Sequence, residues 1–299
     1  MKSLKKILLS LTIGLVVFQT GCGVQTNSKN IDNTKTSQEK IISEFKTLTS
    51  KDSKPQEVIK FIDDNIADLS KEDASSMIIS LEENLKKNLP IIEDKFYKTK
   101  GIQEEMRKVY EADFDIRKID SIEGKELKEL LVETRDSGYR VEAAEGVFFP
   151  IINYEFYKKY SSYVSSDIKE YIDIMAVESN NVPAKDAALM IGWEEIIARA
   201  LNQEKFINTY KESTKVNDIK GLYKNYLTFA LIGANNTPLF NYDTNIIVPE
   251  AKEAYLNAIK KDSDSIFIKT LKDFMEVLEK DNYKLTEAVN LYRKNIVNN

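Results

Sequence analysis

The sequence contains no histidine, and its 299 residues include one cysteine, Cys22. Without histidine, a Ser-His-Asp or Cys-His nucleophile, a histidine-ligated zinc site and an imidazole pH switch are excluded. A single cysteine excludes an intrachain disulfide and a Cys-x-x-Cys redox or zinc motif. The enzyme chemistry that remains is that of carboxylate pairs, of serine with lysine, and of ions held by oxygen ligands. Since no convincing set of this kind stands out, we predict no metal, no cofactor and no established enzyme class.

Glycine and proline are also scarce, with 10 and 6 residues respectively. So few turn formers leave little room for the many tight turns of a β-rich fold. Beyond about residue 37, apolar residues recur at intervals of three and four, which is the period of helices that bury one face. We therefore predict an all-α fold, either a multi-helix bundle or an irregular helical array.

One small β-hairpin is expected near residues 139–149, because two short alternating segments flank a turn that contains Gly146. The chain after this point is richer in aromatic residues than the chain before it. We place a boundary near Gly138, between an N-terminal helical subdomain (37–137) and an aromatic-rich C-terminal helical domain (138–299). One continuous helical body is the alternative.

Three further features qualify the helical pattern. Proline removes a backbone donor and clashes with the preceding turn, so Pro90 should interrupt the helix that begins after Ser70. After the hairpin, helices are predicted over 184–201 and 203–212, among others. A long irregular connection is predicted over 234–248, and a loop of this length in a compact helical body is often a binding loop or a lid.

The first residues have the pattern of an export signal. Lys2, Lys5 and Lys6 precede an apolar run of 12 residues from Ile7 to Phe18. That run is too short for a transmembrane helix, which needs roughly 20 apolar residues. A secretory signal is therefore the better interpretation of this segment.

The export signal continues with Gln19-Thr20-Gly21-Cys22, and the segment resembles the signal of bacterial lipoproteins. The resemblance implies that residues 1–21 are a signal peptide, that Cys22 is lipid-modified and becomes the first mature residue, and that the chain sits at the outer face of the bacterial cytoplasmic membrane. Residues 22–36, which are polar and aperiodic after the cysteine, are expected to form a flexible tether. An ordinary exported chain with a leftover thiol is the alternative.

The net charge of the chain limits the binding partners that we expect for it. Removing residues 1–21 takes away three lysines and no acid, so the net charge falls from −5 to −8. An acidic chain is a poor nucleic-acid binder, because that affinity comes mainly from neutralising phosphates with Lys and Arg. We expect the lipid bilayer, reached through Cys22, and a cell-wall or membrane-protein component as partners, and no nucleic acid.

One short segment contains a candidate catalytic residue, Glu178. The stretch Glu178-Ser179-Asn180-Asn181-Val182-Pro183 is similar to the Glu-Ser-x-x-x-Pro opening of lytic transglycosylases. The resemblance implies a helical enzyme that cleaves peptidoglycan with Glu178 as acid and base. The family continues with Gly-Leu-Met-Gln, where this chain has Ala188-Leu189-Met190-Ile191. The alternative is a helix end at Glu178 with Pro183 opening the next helix.

Aromatic residues supply the remaining candidates. Tyr154, Tyr157, Tyr160 and Tyr163 recur every third residue, so on an α-helix their rings rotate by about 60° at each step and cannot all face one core. Tyrosine and tryptophan pair an apolar ring with a polar tip, which suits binding surfaces. The residues that we predict to line a groove for a peptide, glycan or apolar ligand are Tyr154, Tyr157, Phe148, Trp193, Phe240 and Tyr242. Ordinary helix packing is the alternative.

Together these patterns predict a membrane-anchored extracytoplasmic lipoprotein of a non-enzymatic binding or scaffolding type. A peptidoglycan-cleaving enzyme that uses Glu178 is one alternative. A structural assembly factor of the cell envelope is another.

Overall fold

Helices dominate the computed structural model, which describes residues 28–110, 116–261 and 264–298. In this part of the chain the strands form two-stranded antiparallel sheets, so the predicted all-α fold is confirmed. The α-helices are α1 (Ser28–Thr49), α2 (Pro55–Asn65), α3 (Lys71–Lys98), α4 (Ile102–Val109), α5 (Lys125–Asp136), α6 (Tyr154–Tyr157), α7 (Ser166–Asn180), α8 (Trp193–Thr209), α9 (Val216–Ile232), α10 (Pro249–Lys260), α11 (Ile266–Lys280) and α12 (Glu287–Asn298). Short 3-10 helices cover Ile66–Asp68, Ile116–Ser121 and Lys158–Tyr160.

Of the described residues, those from Ile41 onward group into one compact unit, and residues 28–40 are grouped in another. The helix α1 begins at Ser28, which lies inside the range 22–36 where a flexible tether is expected. The tether stays a prediction, as does a domain boundary near Gly138.

The buried apolar residues of the unit 41–299 form two clusters. The first runs from Ile41 to Ile219 and includes side chains from α2, α3, α5, α7 and the strands that follow α5. The second runs from Ile191 to Val289 and includes side chains from α8 to α12. Each fully buried Leu, Ile or Phe side chain in them contributes roughly 1.5–3 kcal/mol through removal from water. The first cluster contains residues on both sides of Gly138.

The helix α3 is continuous through Pro90, so the predicted interruption there is wrong. It begins as expected, because the Ser70 hydroxyl accepts a hydrogen bond from the Asp73 N–H at 3.1 Å and caps the first turn. Pro90 and Lys86 are both exposed. Pro90 has no N–H to donate to the carbonyl of Lys86. Because this side of α3 is exposed, that carbonyl faces water rather than the core, and the helix tolerates the loss of the hydrogen bond.

The predicted hairpin is confirmed as strands β1 (Tyr139–Ala144) and β2 (Val147–Ile152), which pair antiparallel. Its two turn residues, Glu145 and Gly146, have φ values of +52° and +73°. This is the type I′ geometry that matches the right-handed twist of the two strands. The glycine adopts such a φ at no steric cost.

The four tyrosines of this segment do not all face one core, as predicted, but three of them do. Tyr154, Tyr157 and Tyr160 are all buried in the first cluster, and Tyr163 is exposed. The reason is that α6 is a single turn followed at once by a 3-10 helix. A 3-10 helix has three residues per turn, so side chains spaced by three point the same way.

The helices predicted over 184–201 and 203–212 are confirmed only in part, because the structure has a single helix, α8 (Trp193–Thr209), in their place. The start of the segment is not helical: a second hairpin, β3 (Ala184–Lys185) with β4 (Ala188–Leu189), occupies it. Pro183 therefore precedes a strand rather than opening a helix. A third hairpin, β5 (Gly233–Ala234) with β6 (Thr237–Pro238), follows α9 inside the predicted long connection.

Candidate functional site

A groove of about 670 Å³ opens beside α3, and its size is within the range of ligand pockets. Three segments that are distant in sequence line it: the connection from α1 to α2, one face of α3, and the end of α5 with the start of β1. The lining residues are Thr49, Lys51, Asp52, Ser53, Lys54, Pro55, Gln56, Ser80, Glu83, Asn84, Lys87, Asn88, Ile91, Ile92, Lys95, Glu133, Ser137 and Tyr139. We call it the α3 groove.

Asn84 lines the α3 groove and connects two of its segments by a hydrogen bond. Its Nδ2 donates to the backbone carbonyl of Ser53 at 3.1 Å, and the Ser53 hydroxyl donates to the carbonyl of Leu48 at 2.6 Å. These bonds tie the connection between α1 and α2 to α3. The Asn84 Oδ1 atom is buried and has no hydrogen-bond partner in the protein. A buried acceptor without a donor is destabilising by about 1–3 kcal/mol, so Oδ1 keeps an unused capacity to accept a hydrogen bond.

Ion pairs join the segments that line the α3 groove. Lys87 Nζ lies 2.6 Å from Asp52 Oδ1, and Lys95 Nζ lies 2.5 Å from Glu133 Oε1. The hydrogen bond and charge of Lys87 hold the pKa of Asp52 below its usual value. A neighbouring cavity of about 560 Å³ also has Glu133 in its lining, so the concave surface extends beyond the groove.

A cluster of lysine and tyrosine side chains surrounds Glu82, whose side chain is 2% exposed. Tyr154 and Tyr171 donate to its Oε1 at 2.6 and 2.7 Å. Lys86 Nζ lies 2.7 Å from Oε1, and Lys215 Nζ lies 2.6 Å from Oε2. Burial by itself would raise the pKa of Glu82, but the hydrogen bonds from its lysine and tyrosine partners outweigh burial and lower the pKa from 4.5 to about 2. The ionised carboxylate therefore joins α3, α6, α7 and the start of α9.

Glu178 lies in the last turn of α7, as the helix-end interpretation predicted, and 11% of its side chain is exposed. Tyr226 donates to its Oε2 at 2.7 Å, and Arg199 Nη1 lies 3.5 Å from Oε1. Arg199 is shared, because its Nε donates to Glu195 at 2.8 Å. Burial raises the pKa of Glu178 by more than Tyr226 and Arg199 lower it. Glu178 can therefore hold a proton, but it lines neither the α3 groove nor the neighbouring cavity.

The six aromatic residues predicted to line one groove are divided among three places. Phe148, Tyr154 and Tyr157 are buried in the first apolar cluster, and Trp193 and Phe240 are buried in the second. Tyr242 alone is open to solvent, with 72% exposure, and its hydroxyl donates to the Asn235 carbonyl. The structure therefore does not bring the six together, and their role as ligand-binding residues stays a prediction.

Apart from Tyr154, the residues of the α3 groove and of the Glu82 cluster are not predicted from the sequence. For Glu82 a signal exists, because a glutamate stands among the inward positions of α3 beside Ile78, Leu81 and Leu85, all nearly fully buried. A charge on an apolar helix face implies a buried partner. For Asn84 and Asn88, two amides one helical turn apart are a weak signal, since exposed helix faces carry such pairs commonly.

Two expectations bear on the membrane and on metals. Cys22 lies outside the residues that the structure describes, so its lipidation stays a prediction. In the described ranges, no helix is long and apolar enough to cross a membrane. The same ranges contain no group of three or more cysteine, aspartate or glutamate side chains placed to hold a metal ion.

The chain was compared with family models, with curated proteins and with solved structures. None of the three comparisons gives a match.

Proposed function

We propose that this protein is a lipid-anchored extracytoplasmic binding protein whose ligand site is the α3 groove. The observation that carries the binding role is the groove itself, an open concave surface with a buried acceptor, Asn84 Oδ1, that no protein donor satisfies. Buried polar groups in folded proteins are nearly always hydrogen-bonded, and the exceptions point to water, ions or ligands.

The anchoring part of the proposal rests on the sequence before residue 23. Basic residues, a 12-residue apolar run and Cys22 follow one another in the order of a lipoprotein signal. The lipid would hold the protein at the outer face of the cytoplasmic membrane, with wall components and membrane proteins within reach. Intact mass and cell fractionation test this part. A lipid-sized mass increment that depends on Cys22, with release of the Cys22→Ala variant from the membrane, is the expected result.

The binding part is tested by crosslinking in the native host. A photo-crosslinking amino acid at Ile91, which lines the α3 groove and is 60% exposed, should capture a distinct envelope component. Leu291 in α12 is a matched control, because it is also apolar and 60% exposed but lies outside the groove. Products obtained equally from both positions, or from Leu291 alone, would favour a scaffolding role or an assembly factor and would contradict a ligand site in the groove.

A second candidate function, cleavage of peptidoglycan, is favoured by the raised pKa of Glu178. A glutamate whose pKa is raised by burial is suited to donate a proton to a leaving group. Its oxygens, however, are already engaged by Tyr226 and Arg199. Release of muropeptides from purified walls that disappears in Glu178→Gln would establish this activity. Equal release by both proteins, or none by either, would exclude it.

A further inference from the structure

We infer that the α3 groove binds an extended peptide of mixed charge; this inference rests on the proposed binding function and names its ligand class. The acceptor is the first observation. Asn84 Oδ1 needs an N–H or O–H donor, and the neighbouring Asn88 spends its Nδ2 on the Asn84 carbonyl at 2.9 Å. A peptide backbone offers a donor and an acceptor at every residue except proline, so it can satisfy such an atom without a particular side chain.

The length of the groove also fits an extended chain. The α3 residues that line it run from Ser80 to Lys95 and recur at intervals of three and four, so they form one continuous stripe along the helix. At 1.5 Å per residue this stripe is about 22 Å long. An extended peptide rises about 3.3 Å per residue, so about seven residues would span the stripe.

The charges in the groove have both signs. Lys51 and Lys54 lie in the connection from α1 to α2, Glu83 lies on α3, and all three are exposed. Within the part of the chain that the structure describes, none of these three forms an ion pair, whereas Lys87 and Lys95 are paired. A ligand that carries both an acidic and a basic group is complementary to this arrangement.

The groove lacks the stacking surface that a sugar ring would use. Tyr139 is the one aromatic residue in its lining, and it is 1% exposed with its hydroxyl donated to the Leu85 carbonyl at 2.7 Å. The large apolar side chain that is open to solvent there is Ile91, which suits an aliphatic side chain. Peptide is therefore favoured over glycan.

Binding of defined probes to the full, lipidated chain in detergent tests the inference. The peptide probes are a positional-scanning library of heptapeptides with acetylated N-termini and amidated C-termini, in which each pool has one defined residue at one position. The glycan probe is chitohexaose. We expect peptides to bind and chitohexaose not to bind. The affinity for the best peptide should fall at least about tenfold in Asn84→Leu, because the ligand donor loses its acceptor.

Two further variants are compared with Asn84→Leu, which also removes the hydrogen bond from Asn84 to the Ser53 carbonyl. Asn65→Leu is the control for loss of a side-chain amide outside the groove, because Asn65 donates to the Phe61 carbonyl at 2.8 Å in its own helix; it should leave peptide affinity unchanged. Glu83→Lys changes an exposed residue and cannot act through the core. It should shift the library preference from basic toward acidic residues at one or more positions.

The outcomes are distinct. Peptide binding that depends on Asn84 and changes its charge preference with Glu83→Lys supports the inference. Chitohexaose binding that depends on Asn84, with no peptide bound, overturns the peptide and leaves a ligand site in the groove. Failure of both probes overturns the peptide as well, and crosslinking at Ile91 then decides separately whether the groove binds anything.

Discussion

Two glutamates of this protein, the buried Glu82 and the largely buried Glu178, have pKa values shifted in opposite directions. Both belong to helices, and both accept a hydrogen bond from a tyrosine. Glu82 has two lysine ammonium groups at hydrogen-bonding distance, and its pKa falls to about 2. Glu178 has one arginine at 3.5 Å, which is shared with another carboxylate, and burial raises its pKa.

The comparison teaches that burial alone does not decide the charge of an interior carboxyl group. The number of cations that contact it directly decides whether the desolvation of the ion is offset. Glu82 is therefore a fixed charge that holds helices together, and Glu178 is a group that can take up or release a proton.

Replacing Glu82 with glutamine should produce the largest loss of stability. The substitution leaves Lys215, which is 8% exposed, without its buried partner, and its remaining anion is the half-exposed Asp218 at 3.3 Å. Removing one member of a buried ion pair costs about 3–5 kcal/mol, so the free energy of unfolding in urea at pH 7 should fall by that amount. Glu83→Gln is the control, because Glu83 is the exposed neighbour, and its effect should stay within about 0.5 kcal/mol. Equal losses in both variants would contradict a special role for Glu82.

Acid should remove the contribution of Glu82 in a defined pH range. Its pKa is lower in the folded protein than the 4.5 of a free glutamate, so its stabilisation is present above pH 4.5 and disappears as the pH falls toward 2. The difference corresponds to about 3 kcal/mol. Unfolding experiments from pH 6 to pH 2 should show the gap between wild type and Glu82→Gln narrowing by about this amount. A gap that stays constant would mean that Glu82 is not the titrating group.

Replacing Tyr226 with phenylalanine should affect Glu178 and leave Glu82 unchanged. The hydroxyl of Tyr226 donates to Glu178 and favours its charged form, so its loss should raise the pKa of Glu178 further and cost about 1–2 kcal/mol of stability. Carbon-13 NMR titration of the carboxyl groups, with Glu178→Gln to assign the signal, measures the change. Tyr163→Phe, at an exposed tyrosine, should leave the titration as it is.

The smallest effect is expected at Lys86, the outer of the two lysines on Glu82. Its side chain is 51% exposed, compared with 8% for Lys215. Lys86→Met should therefore cost about 1 kcal/mol or less and raise the pKa of Glu82 slightly. Lys215→Met should cost several times more, because it leaves Glu82 as a buried anion with only the outer lysine. Urea unfolding of both variants at pH 7 measures the two losses of free energy of unfolding. Equal losses would show that the exposure of a lysine does not determine how much it stabilises the protein.

Much of the fold could be predicted, because helices bury one face and their apolar period records it. The stripe from Val58 to Ile66 and the hairpin turn at Gly146 are local signals of this kind. Whether the helix α3 continues through Pro90 could not be predicted, because this depends on whether the Lys86 carbonyl faces water. The same holds for the segment 184–189, where three-dimensional packing selects a hairpin over a short helix.

The candidate site was less predictable than the fold. The α3 groove is formed by segments around residues 53, 84 and 139, and no local pattern states that these will meet. Glu178 lies in a motif that can be recognised in the sequence, and Glu82 lies in none, although both are glutamates on helices. Their different chemistry comes from Lys215 and Arg199, which lie far away in the sequence and reach them only in the folded chain.

The three-residue spacing of Tyr154, Tyr157 and Tyr160 also determines how this segment would respond to a change in its length. Surface connections usually absorb an inserted or deleted residue. Here, one residue added after Tyr157 would turn every later side chain by about 120°, which is one step of a 3-10 helix. Tyr160 would leave Asp63, to which its hydroxyl now donates at 2.8 Å. This short stretch therefore tolerates substitution of its exposed residues but not insertion or deletion.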